Sequence, residues 1–220
     1  MAVLGIYGAG GLGRELLELA SVINERTKRW KSTVFIDDAK PSPSVCGKAV
    51  LSYAEAKELF GQELEIVLAI GEPATREKLF SKIKADGIST PSLIHPNVYI
   101  PKTVSIGDGV VIQDGCYISC NVTIKDYAFL QPRCSVGHDC VLNEGCIIST
   151  FDTIAGAVSV GKYTYIGMST AVKEAVTIGD YSIVGMSSAV YKDIPNEVIA
   201  LGNPARPVKK NEDRQVFGKH

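Results

Sequence analysis

The chain has 220 residues, of which 45% are hydrophobic and 21% charged, with a formal net charge of −1. That length admits one large domain or two small ones with a real core. The balanced charge and lack of a long basic run argue against a nucleic-acid surface, and no window approaches the roughly 20 uninterrupted apolar residues needed to cross a bilayer.

The first segment, Val3-Leu4-Gly5-Ile6-Tyr7, reads as a strand and lacks the basic region, apolar stretch and cleavage site of an export signal, so a cytoplasmic location is the expectation. Residues 12–30 follow as a helix with Leu16, Leu17, Leu19, Ala20 and Ile23 inward, and 33–37 as a second strand. Residues 53–60, 65–70 and 74–85 read as helix, strand and helix. This βαβαβα order predicts a small Rossmann-like α/β domain over residues 1–90, with 89–96 as linker.

Between the first strand and helix lies Gly8-Ala9-Gly10-Gly11-Leu12-Gly13, a G-x-G-x-x-G match in strand–turn–helix context. Glycines there let backbone amides approach a phosphate at a helix N-terminus, although a tight turn without ligand has the same sequence. Asp37-Asp38 ends the second strand, where a carboxylate can meet a ribose hydroxyl or cap a turn. The domain is half of a doubly wound dinucleotide fold, so one nucleotide fits better than two.

From Ile94 to Val190 an aliphatic residue recurs at every sixth position without a slip, and the fourth residue after each is almost always small. Asp152 is the charged exception. A period of six suits neither a helix nor a simple strand, and points to short strands separated by turns that close a triangular coil. Cys116, Cys134, Cys140 and Cys146 fall on the small positions and read as fillers. With six cysteines but no Cys-x-x-Cys pair, and three histidines, no metal site is expected.

The pattern resembles the hexapeptide-repeat family, whose fold is a left-handed parallel β-helix, a departure from the usual right-handed crossover. Over almost the whole chain, the motifs at 6–13, 35–40, 69–71, 94–96, 137–139 and 202–206 resemble the PglD/NeuD-type sugar acetyltransferases. The resemblance implies that residues 1–90 hold a nucleotide-linked amino sugar, with Asp37, Asp38 and Lys40 at the nucleoside, Gly8, Gly10, Gly11 and Gly13 at the diphosphate, and Gly71 in the same site. Residues 91–220 would form the β-helix acyltransferase domain with a short C-terminal tail. Several relatives carry histidine where this chain has Leu12.

His138 alone among the three histidines interrupts a repeat, at the turn of the hexad that starts at Val136, with Asp139 beside it. The resemblance makes His138 the general base for an amine or hydroxyl attacking a thioester, and Asp139 the group that orients it, in place of the family's frequent Glu. Gly156, one 18-residue coil later, would receive the developing oxyanion. Further along that column, Gly167-Met168 and Gly185-Met186 would hold the pantetheine arm through their backbone amides. Lys209 and Lys210 could meet CoA phosphates or be a solvated basic tail.

The expectation is therefore an acetyl-CoA-dependent N-acetyltransferase acting at the C4 amine of a nucleotide-linked amino-deoxysugar in glycan biosynthesis. It would work as a homotrimer, with no metal, nucleic acid or membrane partner. O-acetylation of a sialic-acid-like sugar and a non-catalytic β-helix binding protein are the alternatives.

Overall fold

The computed structural model describes residues 1–39 and 42–217. The α/β domain opens with β1 (Ala2–Tyr7), whose Val3–Tyr7 are buried on both faces, as a central parallel strand must be. Helix α1 (Gly11–Thr27) buries Leu16, Leu17, Leu19, Ala20 and Ile23 as expected, but ends three residues early. Lys28 turns left-handed with φ 52°, and the Asn24 side chain accepts from the Trp30 amide at 2.9 Å and donates to its carbonyl at 2.8 Å. Trp30 thereby begins β2 (Trp30–Ile36) rather than ending the helix.

A short antiparallel hairpin, β3 (Ser44–Val45) and β4 (Lys48–Leu51), interrupts the expected βαβαβα order. Its two-residue turn, Cys46-Gly47, has φ 47° and 70°, the two positive values that a primed turn requires. Helix α2 (Tyr53–Phe60) follows behind a Ser52–Glu55 capping box, then β5 (Leu64–Leu68) and α3 (Pro73–Ala85). The sheet runs β3-β4-β2-β1-β5, so the loops after β2, β1 and β5 line up along one edge.

The rest of the chain is a left-handed parallel β-helix with two faces of five strands and one of eight. Two-residue strands stack at a spacing of one coil, for example Phe129–Leu130 between Val111–Ile112 and Ile147–Ile148. The aliphatic and small columns fill the interior. At each corner from Gly109 to Ser187 one residue is left-handed, among them Asn121, Asp139, Ala157 and Ser169, all with φ between 57° and 61°. The expected linker is already part of the coil: Leu93–Ile94 pairs with Val111–Ile112, and the Ser89 carbonyl accepts from the Ile66 amide at 2.9 Å.

Outward side chains differ sharply between faces. Leu93, Val111, Phe129 and Ile147 are buried beneath α1 and the β1–β2 core, whereas the other two faces present Ser135, Thr153 and Ala171, and Ser105, Ser159 and Thr177. Arg76 of α3 is buried at the seam, donating to the Ile70 carbonyl at 3.1 Å and to the Tyr127 carbonyl, with its guanidinium over Phe129. Burial lowers its pKa to about 10, still a cation at neutral pH.

Inside the coil, Asp152 is buried and its two oxygens accept from the amides of Ser149 (2.7 Å) and Thr170 (2.8 Å). Cys116, Cys134, Cys140 and Cys146 are buried thiols, as their small positions require, while Cys46 and Cys120 are exposed. An antiparallel hairpin, Val198–Gly202 with Ala205–Lys210, closes the last edge of the eight-stranded face. The chain then returns to the α/β domain.

Candidate active site

The corner after Val136 carries His138 and Asp139, and both are exposed. The left-handed backbone of Asp139 swings its carboxylate beside the imidazole, with Oδ2 2.7 Å from Nδ1 of His138. The shorter aspartate therefore reaches where a glutamate was the commoner expectation. Asn121, one coil earlier, donates from Nδ2 to the other oxygen at 3.0 Å. The hydrogen bond to His138, then that from Asn121, holds the Asp139 carboxyl below the usual carboxylate range. An ionised Asp139 accepts a proton-bearing Nδ1, which leaves Nε2 as the free, basic nitrogen.

Gly156 stands against that nitrogen: a Cβ there would lie 2.6 Å from Nε2 of His138. Adjacent coils are tied by the Ala157 amide to the His138 carbonyl at 2.7 Å and the Ala175 amide to the Gly156 carbonyl at 2.9 Å. Among the described residues, no acceptor takes the Gly156 amide hydrogen.

The pairs Gly167-Met168 and Gly185-Met186 do not share this column. They occupy the next corner, at the far edge of the face formed by Ser135–Val136, Thr153–Ile154 and Ala171–Val172. The Gly167 and Gly185 amides are also committed to the ladder, to Val184 and Ala200 carbonyls at 2.8 and 2.9 Å. The amides without an acceptor are those of Met168 and Met186, whose side chains are exposed.

At the edge of the α/β sheet the glycines divide their work. Gly8 has φ +115°, and Gly13 packs so tightly on the Gly8 carbonyl that no side chain fits. Gly10 has nothing within 4 Å of its missing side chain, and Gly10 and Gly11 face solvent at the uncapped N-terminus of α1. Leu12 is half-buried and packs on the apolar cluster beneath α1.

The two aspartates also divide. Asp37 accepts from the Ala9 amide at 3.2 Å and the Ala39 amide at 3.0 Å, which fixes the glycine loop to the end of β2. Asp38 accepts from the Tyr7 hydroxyl at 2.5 Å and the Tyr53 amide at 2.9 Å, and so supports the start of α2. Burial pushes the Asp38 carboxyl up, but the Tyr7 and Tyr53 bonds and Lys82 outweigh it and leave it lowered. Lys40 lies outside the described residues. Gly71 follows β5 on the same edge.

Sequence reasoning missed Asn121, Tyr7 and Tyr53. Asn121 was within reach, because it sits 18 residues before Asp139. The tyrosine partners of Asp38 depend on sheet order and left no local signal.

These two regions do not meet within one chain. The α/β domain covers the face that carries Leu93, Val111 and Phe129, and His138 projects from the opposite corner, between the two uncovered faces.

A model of the PglD N-terminal domain matches residues 3–83, and one of the GMPPB C-terminal domain matches 86–199. GDP-perosamine N-acetyltransferase of Escherichia coli O157:H7 is 28% identical, over 96% of this chain and 98% of its own length. Perosamine N-acetyltransferase of Caulobacter crescentus, solved as a histidine-to-asparagine variant with CoA and GDP-perosamine, is 31% identical with a TM-score of 0.82, covering 94% of this chain and 96% of that one. The acetyltransferase domain of PglB from Neisseria gonorrhoeae, solved with acetyl coenzyme A, is 28% identical with a TM-score of 0.87, over 94% and 98% of the two chains. With its α/β domain, its β-helix and its exposed His138–Asp139 corner, this chain belongs to the PglD-type sugar acetyltransferases of the hexapeptide-repeat family.

Proposed function

We propose that the protein transfers the acetyl group of acetyl-CoA to the C4 amine of a nucleotide-linked amino-deoxysugar in glycan biosynthesis, in the cytoplasm. The observation that carries this is the exposed His138, with Nδ1 on Asp139 and Nε2 close against the side-chain-free position of Gly156. In the reaction the amine nitrogen attacks the thioester carbonyl, Nε2 takes the amine proton, and the Gly156 amide receives the oxyanion. Collapse breaks the carbon–sulfur bond, and the proton leaves with CoA as the free thiol. Asp139 steadies the imidazolium without taking the proton.

Residues 1–90 would bind the sugar nucleotide, through Gly10 and Gly11 at the diphosphate and Asp37 at the nucleoside, and 91–220 would carry the chemistry. Since the two regions lie on opposite sides of one coil, we read the enzyme as a homotrimer in which each site joins His138 of one subunit to a neighbour's wall. The small residues on the uncovered faces suit close contact. The free Met168 and Met186 amides would then serve CoA from the adjoining corner. A thiol-release assay tests the proposal: a nucleotide-linked 4-amino sugar should liberate CoA, and its 4-hydroxy counterpart should not. CoA release with the hydroxy sugar or a CMP-linked acidic sugar would favour O-acetylation.

A further inference from the structure

The strand order β2-β1-β5 sets Asp37, the Gly10–Gly11 amides and Gly71 in sequence along one edge. A sugar nucleotide with its nucleoside at Asp37 and its diphosphate at Gly10 and Gly11 must extend its hexose toward Gly71. At that end stands the returning C-terminal segment.

The segment is fastened along its length. Asn211 donates from its amide to the Glu197 carbonyl and from Nδ2 to the Tyr181 carbonyl, both at 2.8 Å. Arg214 pairs with Glu197 at 2.7 Å and lies 3.7 Å over the Tyr181 ring. The Glu72 carboxylate accepts from the amides of Val216 and Phe217 at 3.0–3.1 Å. Despite this, Phe217 keeps 54% of its surface in water. Its ring meets Tyr165 edge-on at 5.7 Å, and a Cβ on Gly71 would come within 3.2 Å of it. A Cβ on Gly8 would meet the Ala69 carbonyl and the Ile70 side chain, so the loop that carries Gly71 runs beside the glycine loop.

An aromatic ring held in place yet left wet beside the loop edge of the sheet marks a ligand contact more readily than a packing contact. We infer that Phe217, backed by Tyr165 and seated over Gly71, is the wall against which the hexose of the sugar nucleotide packs its apolar C–H face, and so a specificity-determining residue. This rests on the nucleotide-sugar reading of residues 1–90. Glu72 is the positioning residue that fixes the ring through the two backbone amides.

Calorimetry can isolate the hexose contribution, using the GDP-, UDP- and dTDP-linked 4-amino-4,6-dideoxyhexoses and the matching nucleoside diphosphates. In Phe217→Ala, the sugar nucleotide that the parent binds should bind about tenfold more weakly, and the matching diphosphate should change less than twofold. Phe217→Tyr should restore binding, and the KM for acetyl-CoA should stay unchanged. Equal weakening of both ligands, or no change in either, overturns the assignment of Phe217 and leaves the domain reading standing. A parent that binds none of the probes overturns both.

Discussion

Gly156 and His138 are neighbours across one coil, so close that a methyl at 156 would sit 2.6 Å from both Cε1 and Nε2 of the imidazole and the ring would have to move aside. The imidazole and the glycine beside it are thus positioned by the stacking of the coil rather than by a loop.

Gly156→Ala should push the imidazole off its position. Turnover is expected to fall about 10- to 100-fold with the melting temperature nearly unchanged, because the corner is on the surface. Steady-state kinetics and a thermal melt decide this, and an alanine variant with parental turnover would remove Gly156 from the site.

His138→Ala should lower turnover by roughly 10²–10⁴-fold with little change in ligand affinity. Asp139→Asn and Asn121→Ala should cost less, in that order, because they act through the orientation of the ring. If Asn121→Ala costs as much as His138→Ala, Asn121 touches substrate directly.

Asp37→Ala and Asp38→Ala should separate. The first frees the Ala9 amide and loosens the glycine loop, so the KM for the sugar nucleotide should rise far more than turnover falls. The second removes partners from Tyr7 and Tyr53, so it should mainly lower the melting temperature. Comparable effects of both on KM would return Asp38 to the nucleoside site.

Buried Asp152 has its pKa raised to about 8. Unfolding restores an ordinary carboxyl, so between about pH 4 and 8 the folded chain holds a proton that the unfolded chain releases, and stability falls as pH rises through that window. Asp152→Thr, which copies Thr170 one coil on, should flatten this dependence. Its melting temperature should exceed the parent's by roughly 5 °C or more at pH 8 and by less at pH 5. A constant difference at both pH values would show that Asp152 does not titrate there.

If sites form between subunits, light scattering should give three times the 23.6 kDa chain mass. Mixing an inactive His138→Ala protein with an inactive Gly10→Glu protein, then allowing subunits to exchange, should restore part of the activity. No recovery after proven exchange would return each site to a single chain.

The β-helix was legible because its period is written in side-chain size: Ile94 to Val190 has a strict register, and the buried thiols fell where small residues belong. The site was legible only in part. Counting hexads puts Met168 and Met186 in phase with Gly156, whereas counting whole coils of 18 separates them and would have joined Asn121 to Asp139. The β3–β4 hairpin was hidden because a cysteine fills a left-handed turn position, and the Tyr7 and Tyr53 partners of Asp38 were hidden because they come from distant elements. The Phe217–Gly71 contact joins residues far apart in the chain, and so left no local signal.

The hairpin of Val198–Gly202 and Ala205–Lys210 has a meaning beyond closing the fold. A stack of parallel coils ends in a row of unpaired backbone groups, the template on which another molecule could add a rung and begin a fibre. Here the chain folds an antiparallel strand over that edge of the eight-stranded face. On that face the hairpin puts an antiparallel rung where a parallel one would have to be added, which works against extension of the stack by another molecule.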